Sequence, residues 1–237
     1  MCQQGTTGSI SGTGIVNMLT SVEICAGAGG QALGLEQAGF DHAALVEIDK
    51  HCCNTLRHNR PNWNVLEEDV RVFKERAKDY NGIDLLAGGL PCPPFSVAGK
   101  QLGPNDERNL FDDAIEIVDG ARPNAVMIEN VRGFLDAVFH DYREHLKTQL
   151  TKMGYTTDWR LLNASDFGVP QLRPRVIIVA IKSERSDLFE WPEPNPHNPP
   201  NVGETLYDMM ASRGWTGAKA WRDHADEIAP TIVGGSK

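Results

Sequence analysis

From Leu19 onward the chain alternates short, almost unbroken apolar runs with longer stretches in which apolar residues recur every three or four positions. The first kind comprises TSVEICAG (20–27), HAALVEID (42–49), IDLLAGG (83–89) and NAVMIEN (124–130). The second comprises QALGLEQAG (31–39), KHCCNTLRHN (50–59), RNLFDDAIEIVDG (108–120) and HDYREHLKTQLTKMG (140–154). Unbroken apolar strands are those covered on both faces, so the alternation predicts an α/β fold: a mostly parallel sheet with helices on both faces. Tyr142, Leu146, Leu150 and Met153 share one side of the helix expected over 140–153, which packs on the sheet. Two later β-like runs, TTDWRLLNA (156–164) and RVIIVAIK (175–182), predict a closing antiparallel pair at the far edge.

The rhythm is absent at both ends. Residues 1–17 are rich in Gly, Ser and Thr and read as a flexible leader. Beyond Lys182, EWPEPNPHNPPN (190–201) holds too many prolines for a regular element. A short helix is expected near 203–211, and no closing core element follows it. The expected organisation is therefore a leader over 1–17, a catalytic domain over 18–182, and a linker with the start of an incomplete region over 183–237.

Length and composition narrow the class. A chain of 237 residues, 41% hydrophobic and 23% charged, suits one globular domain. No apolar run reaches the roughly 18–20 residues of a membrane span, and the N-terminus lacks the pattern of a secretory signal. The five cysteines are odd in number, form no CxxC pair and have no zinc-finger spacing, so a cytoplasmic protein with reduced thiols and no metal is expected. A net charge of −9 counts against a broad nucleic-acid surface. It does not exclude one locally basic face.

Candidate chemistry gathers where the expected strands end. Glycines 27, 29 and 30 lie between a strand and a helix, where backbone can approach a ligand. A structural turn would look the same. The turn is not a dinucleotide fingerprint, because G-x-G-x-x-G from Gly27 would require glycine where Ala32 stands; this argues against a nicotinamide oxidoreductase. Glu47 follows the turn by twenty residues, at the distance at which an acid accepts ribose hydroxyls. Asp69 closes the next presumed strand and could take an adenine amino group. Pro91, Pro93 and Pro94 then stiffen the loop that carries Cys92, directly after Gly88 and Gly89. Glu129 ends the apolar run MIENV at the same sheet edge. Arg173 and Arg175 alternate on a β-like segment, so they point the same way and need an anionic or carbonyl partner.

In this order the motifs resemble the catalytic half of DNA (cytosine-5) methyltransferases, over roughly residues 20–181. The matches are the GxGG turn, Glu47, Asp69, the Pro-Cys loop PCPPFSVAGKQ, the triplet ENV, and QLRPR as Gln-x-Arg-x-Arg. The resemblance implies a Rossmann-like class I fold that binds S-adenosylmethionine. It assigns Cys25, Ala26, Gly27, Ala28, Gly29, Gly30, Glu47, Ile48, Asp69, Val70, Gly89, Pro91 and Leu110 to the cofactor. It assigns Pro91, Ser96, Lys100, Gln101 and Asn130 to the substrate, double-stranded DNA with the target cytosine swung out.

For catalysis it implies Cys92 as nucleophile on C6, Glu129 at the N3 edge, Arg175 at O2, and Arg173 as a brace that favours thiolate. A bacterial or phage restriction–modification enzyme is the implied setting. Two departures stand out. Where the family has Asp-Leu-Phe, this chain has Glu23, Ile24 and Cys25, which removes an aromatic ring from the cofactor side. The end, APTIVGGSK, resembles only the start of the family's recognition region. That leads to the expectation of a second chain carrying the missing recognition and C-terminal motifs, or of an inactive split subunit. A tRNA cytosine-5 methyltransferase is the other alternative on the same fold.

Overall fold

The computed structural model of the protein describes residues 18–91, 110–195 and 200–231. In chain order the regular elements are β1 (Leu19–Ile24), α1 (Gly30–Gln37), β2 (Phe40–Glu47), α2 (Lys50–Asn59), β3 (Val65–Glu67), α3 (Val70–Phe73), β4 (Leu85–Gly89), α4 (Phe111–Ala121), β5 (Ala125–Val131), α5 (His140–Lys152), β6 (Tyr155–Asn163), β7 (Gln171–Leu172), β8 (Pro174–Lys182), α6 (Val202–Ala211), α7 (Ala218–His224) and β9 (Ala229–Pro230). The leader expected over 1–17 lies outside the described residues. Among those described, no helix is long and apolar enough to cross a membrane.

A seven-stranded sheet runs in the order β3-β2-β1-β4-β5-β8-β6. Strands β3, β2, β1, β4 and β5 pair in parallel. Strand β8 inserts antiparallel between β5 and β6, so the closing hairpin expected from the sequence forms with its second strand innermost. Chain order reverses between β1 and β4, and the crevice above their carboxyl ends is the place where doubly wound sheets bind ligands.

Side-chain alternation sorts the core into two layers. Val22 and Ile24 of β1 pack with Phe73, with Ile117 of α4 and with Leu146 and Leu150 of α5 on one face. On the other, Ala32 of α1 and Leu56 of α2 cover Leu45, while Leu35 of α1 covers Leu85 and Ala87. The strands also approach one another closely near the switch point. A Cβ on Gly88 of β4 would stand 2.8 Å from Ile24 Cγ1, so only glycine lets β4 lie this close to β1.

Acids fix the starts of α2 and α3. Asp49 caps α2 by accepting the Cys52 N–H at 2.9 Å, and Asp69 caps α3 by accepting the Arg71 N–H at 2.8 Å. After β8 the chain forms α6 and α7 and returns to the body. There β9 pairs in parallel with β7 as a separate two-stranded sheet, and Thr231 Oγ1 donates to the Leu172 carbonyl at 2.5 Å.

Candidate active site

The switch-point crevice holds a cavity of about 390 Å³, within the roughly 300–1,000 Å³ typical of cofactor sites. Its wall brings together Cys25, Glu47, Ile48, Asp69, Val70, Gly89, Pro91 and Leu110, residues drawn from the ends of β1, β2, β4 and the starts of α3 and α4. Val46, Glu68 and Arg71 complete the wall, and the motifs did not point to them. Glu68 stood beside Asp69 in the same acidic run, which was the available signal.

Glu47 organises this wall. It is 8% exposed, and each carboxylate oxygen accepts one backbone N–H: Oε2 from Gly27 and Oε1 from Asp49, both at 2.7 Å. Two backbone donors hold the carboxylate in one orientation and leave it acceptor capacity for hydroxyl groups. The glycine turn thus reaches the cavity through Glu47. Ala26 is tied to β2 by its N–H to the Val46 carbonyl at 3.1 Å, Ala28 and Gly30 are exposed, and none of residues 26–30 forms the wall itself. Gly29 has φ +93°, and a Cβ there would stand 2.5 Å from Leu56 Cδ2.

Cys25 adopts φ +55°, a left-handed conformation unusual for a non-glycine residue. Burial, reinforced by the charges of Glu47, Asp69 and Glu23, pushes its thiol up to about 12. It is therefore a neutral, soft wall. Ile48 is 67% exposed, an apolar face at the cavity mouth suited to a flat ring. Of the wall's three acids, Glu68 pairs with Arg76 and Asp69 with Arg71 at 3.4 Å, so the acidic surplus of the wall lies with Glu47.

Beside the cavity, Glu129 at the end of β5 registers with Gly89 of β4. A Cβ on Gly89 would meet Glu129 Oε2 at 3.9 Å, so the missing side chain leaves the acid next to the cavity wall. Arg175 Nε lies 2.7 Å from Glu129 Oε1, and Arg173 Nη2 lies 4.0 Å from the same oxygen. The two alternating arginines therefore converge on the acid. Asn130, expected at the substrate, is fully buried; its Oδ1 accepts the Val131 N–H at 2.9 Å. Cys92, Ser96, Lys100 and Gln101 lie outside the described residues. Pro91, which precedes Cys92, forms part of the cavity wall.

Behind the acid, the segment after β5 is clamped by a buried guanidinium. Arg143 Nη1 donates to the carbonyls of Phe134 at 2.6 Å and Asp136 at 3.0 Å. Phe134 stacks on Phe111 at 5.3 Å, next to Leu110 of the wall. Among the described residues, no group of three or more His, Cys, Asp or Glu could hold a metal ion.

Comparison with known proteins places this geometry in context. The model of a family described as C-5 cytosine-specific DNA methylase matches residues 19–235. The chain is 59% identical over 214 residues to the Type II methyltransferase M.NgoMIV of Neisseria gonorrhoeae, covering 90% of this chain and 68% of the relative. It is 54% identical over 220 residues to the Type II methyltransferase M.NaeI of Lentzea aerocolonigenes, covering 92% of this chain and 53% of the relative. The chain thus spans between about half and two thirds of these relatives' lengths. A crystal structure of a DNA modification methyltransferase encoded within an Escherichia coli prophage superposes with TM-score 0.64 at 28% identity, covering 80% of this chain and 54% of that one.

Proposed function

The chain belongs to the C-5 cytosine-specific DNA methylase family, and from that premise we propose that it methylates C5 of a cytosine extruded from duplex DNA, with S-adenosylmethionine as donor. The observation that carries this reading is the Glu129–Arg175 pair, seated against Gly89 on the wall of the switch-point cavity. It puts a carboxyl and a guanidinium beside a nucleoside-sized cavity whose wall includes Pro91, the residue before Cys92 in the sequence.

The residues present suit the cofactor. The Glu47 carboxylate, fixed by two backbone donors, would accept ribose hydroxyls. Ile48 would cover the adenine ring, and Asp69 with the start of α3 would meet the adenine edge. When bound, the cofactor supplies a methyl group on a sulfonium. The protein's task is to make C5 of the pyrimidine nucleophilic. The Cys92 thiolate forms a bond to C6, and the displaced electron pair moves through the ring to N3, where Glu129 supplies a proton or hydrogen bond. C5 then accepts the methyl group. Loss of the C5 proton to water restores the C5–C6 double bond and expels the thiolate, and N3 gives its proton back to Glu129, so the net change is one methyl group gained for one proton lost.

Arg175 has a further duty. Its Nε is held by Glu129 and its Nη1 donates to the Pro174 carbonyl at 2.8 Å. It would bind the cytosine O2 through its remaining donors. Arg173, farther from the acid, would brace the pair and stabilise the thiolate. The Type II designation of the relatives supports a place in restriction–modification, acting on DNA in the cytoplasm of a bacterium or phage host.

The test is methyl transfer to duplex DNA, with tRNA as comparison acceptor, alongside S-adenosylhomocysteine binding. Cys92→Ser is expected to remove transfer and leave binding within about threefold. Undiminished transfer in that variant would sink the mechanism.

A further inference from the structure

Glu23 is 1% exposed, and its Oε2 has no hydrogen-bond partner among the described residues. Its registered neighbours are Leu45 of β2 and Ala87 of β4, both fully buried. An acid placed this way has scarcely any solvent, and no donor at Oε2, to stabilise a negative charge, so its low-energy form is the neutral one. Burial accordingly pushes the carboxyl up to about 8.

The residue nevertheless lies one pleat below the cavity: two positions along the same face from its register partners Leu45 and Ala87 stand Glu47 and Gly89, both in the wall. Its charge is one of those that raise the thiol of Cys25, and Cys25 is part of the wall. The titratable groups on the surrounding elements that are not exposed are His42 and Glu47 on β2, Asp69 at the start of α3, Glu36 on α1, and Cys52 and Cys53 on α2; Asp41, Lys50, His51, Arg57, His58 and Arg71 are exposed. Strand β4, reading Leu-Leu-Ala-Gly-Gly, contributes none. Glu36 is paired with Arg60 at 3.0 Å, and His42 is held between Ser21 Oγ at 2.9 Å and the Ala32 carbonyl at 3.0 Å. A cationic ligand in the cavity would bring to this side of the sheet a charge that these groups do not supply.

We infer that Glu23 makes the site read the charge on the cofactor's sulfur. Seating the sulfonium donor draws the proton off the Glu23 carboxyl into solvent, whereas the neutral thioether product leaves that carboxyl protonated. The inference rests on S-adenosylmethionine being the ligand of this cavity. Donor and product differ by one methyl group and one positive charge, so the coupled proton separates them where shape scarcely can. Donor affinity then rises as pH approaches the carboxyl's own range, by up to about tenfold per pH unit where one proton is released. Product affinity does not follow it, and exchange of spent for fresh cofactor is favoured on the alkaline side.

Calorimetric titration of the full chain with S-adenosylmethionine and, separately, S-adenosylhomocysteine tests this between pH 6 and 7.5. Buffers of different ionisation enthalpy report the protons released. The expected result is about one more proton released with the donor than with the product, and loss of that difference in Glu23→Gln, which imitates the neutral acid. Equal proton counts for the two ligands in the unaltered protein overturn the inference and leave the methyltransferase reading intact, a comparison that does not depend on the variant folding. Absence of binding by either ligand overturns both.

Discussion

Arg175 Nε lies 2.7 Å from Glu129 Oε1 across the antiparallel β5–β8 pair, although neither residue is the other's register partner. Glu129 stands opposite Ile177 and Arg175 opposite Val131, so the contact is the diagonal one, two positions along the ladder. One sheet register therefore sets both the place of the acid and the reach of the guanidinium. Replacing Glu129 by Gln keeps the shape and removes the proton source. Methyl transfer to duplex DNA is expected to fall by about 10²–10⁴-fold, with S-adenosylhomocysteine affinity within about threefold. A proportionate loss of both would show the residue to be structural.

The two arginines should not be equivalent. Arg175 is closer to the acid and less exposed, 21% against 41% for Arg173. Arg175→Ala is expected to lower kcat by at least about tenfold more than Arg173→Ala, since a guanidinium lost from a shielded pair leaves its partner uncompensated. Arg175→Lys should recover little, because one ammonium cannot serve Glu129 and a base together. Single-turnover rates on a saturating oligonucleotide decide it.

At Glu47 the expected defect is in binding. Gln at this position turns an amide NH₂ toward a backbone N–H of Gly27 or Asp49, where an acceptor is required. Cofactor affinity is expected to weaken by about 10- to 100-fold, with the rate at saturating cofactor changed far less. Equilibrium binding beside steady-state kinetics separates the two.

How much of this could be read from the amino acids depended on how many residues each feature spans. Four of the five parallel strands announced themselves through unbroken apolar runs and β3 was only presumed, yet their ends located Glu47, Asp69 and Glu129, because strand ends are where a sheet fold collects polar groups. Helix α2 was visible over Lys50–Asn59, whereas the capping role of Asp49 emerged only from the structure. The two-residue strands β7 and β9 were not visible, since two residues carry no period and their pairing joins positions 171 and 229. Glu68 and Arg71 were passed over because a charged residue at a strand end is ordinarily solvated. Glu23 was read only as a variant of the family's aspartate. Its isolation depends on α1 and α2 covering that face of the sheet, a tertiary fact that no local pattern carries.

Stability should carry the mark of Glu23 in its pH dependence. In the unfolded chain the carboxyl ionises near 4.5, whereas in the folded protein burial holds the proton to about 8. Between those values the folded state binds more protons, so this group's contribution is full below about pH 4.5 and is lost as pH rises toward 8. His42, lowered by burial, works in the opposite sense and costs stability below its ordinary range near 6.5. The difference between the unaltered protein and Glu23→Gln isolates the acid. The variant is expected to gain relative stability with rising pH, by a few kcal/mol across the window, as chemical denaturation at several pH values would show.

Gly29 and Gly30 give a contrast within one turn. Alanine at Gly29 meets both φ +93° and Leu56 Cδ2 at 2.5 Å, while at Gly30 nothing lies within 4 Å of the new Cβ. Gly29→Ala is expected to cost about 2–4 kcal/mol, and Gly30→Ala, at the first position of α1, close to nothing. Urea midpoints for the two variants check the pair.

The small β7–β9 sheet changes how the arginine segment should be regarded. Leu172 is hydrogen-bonded through its carbonyl to Thr231 and is bonded through its peptide to Arg173. A shift of the strand at 229–230 therefore reaches the guanidiniums within a residue of the ladder, with no packed core in between to absorb it. Residues 229–231 are thereby mechanically part of the arginine clamp on Glu129, and a tug there is felt at the two guanidiniums.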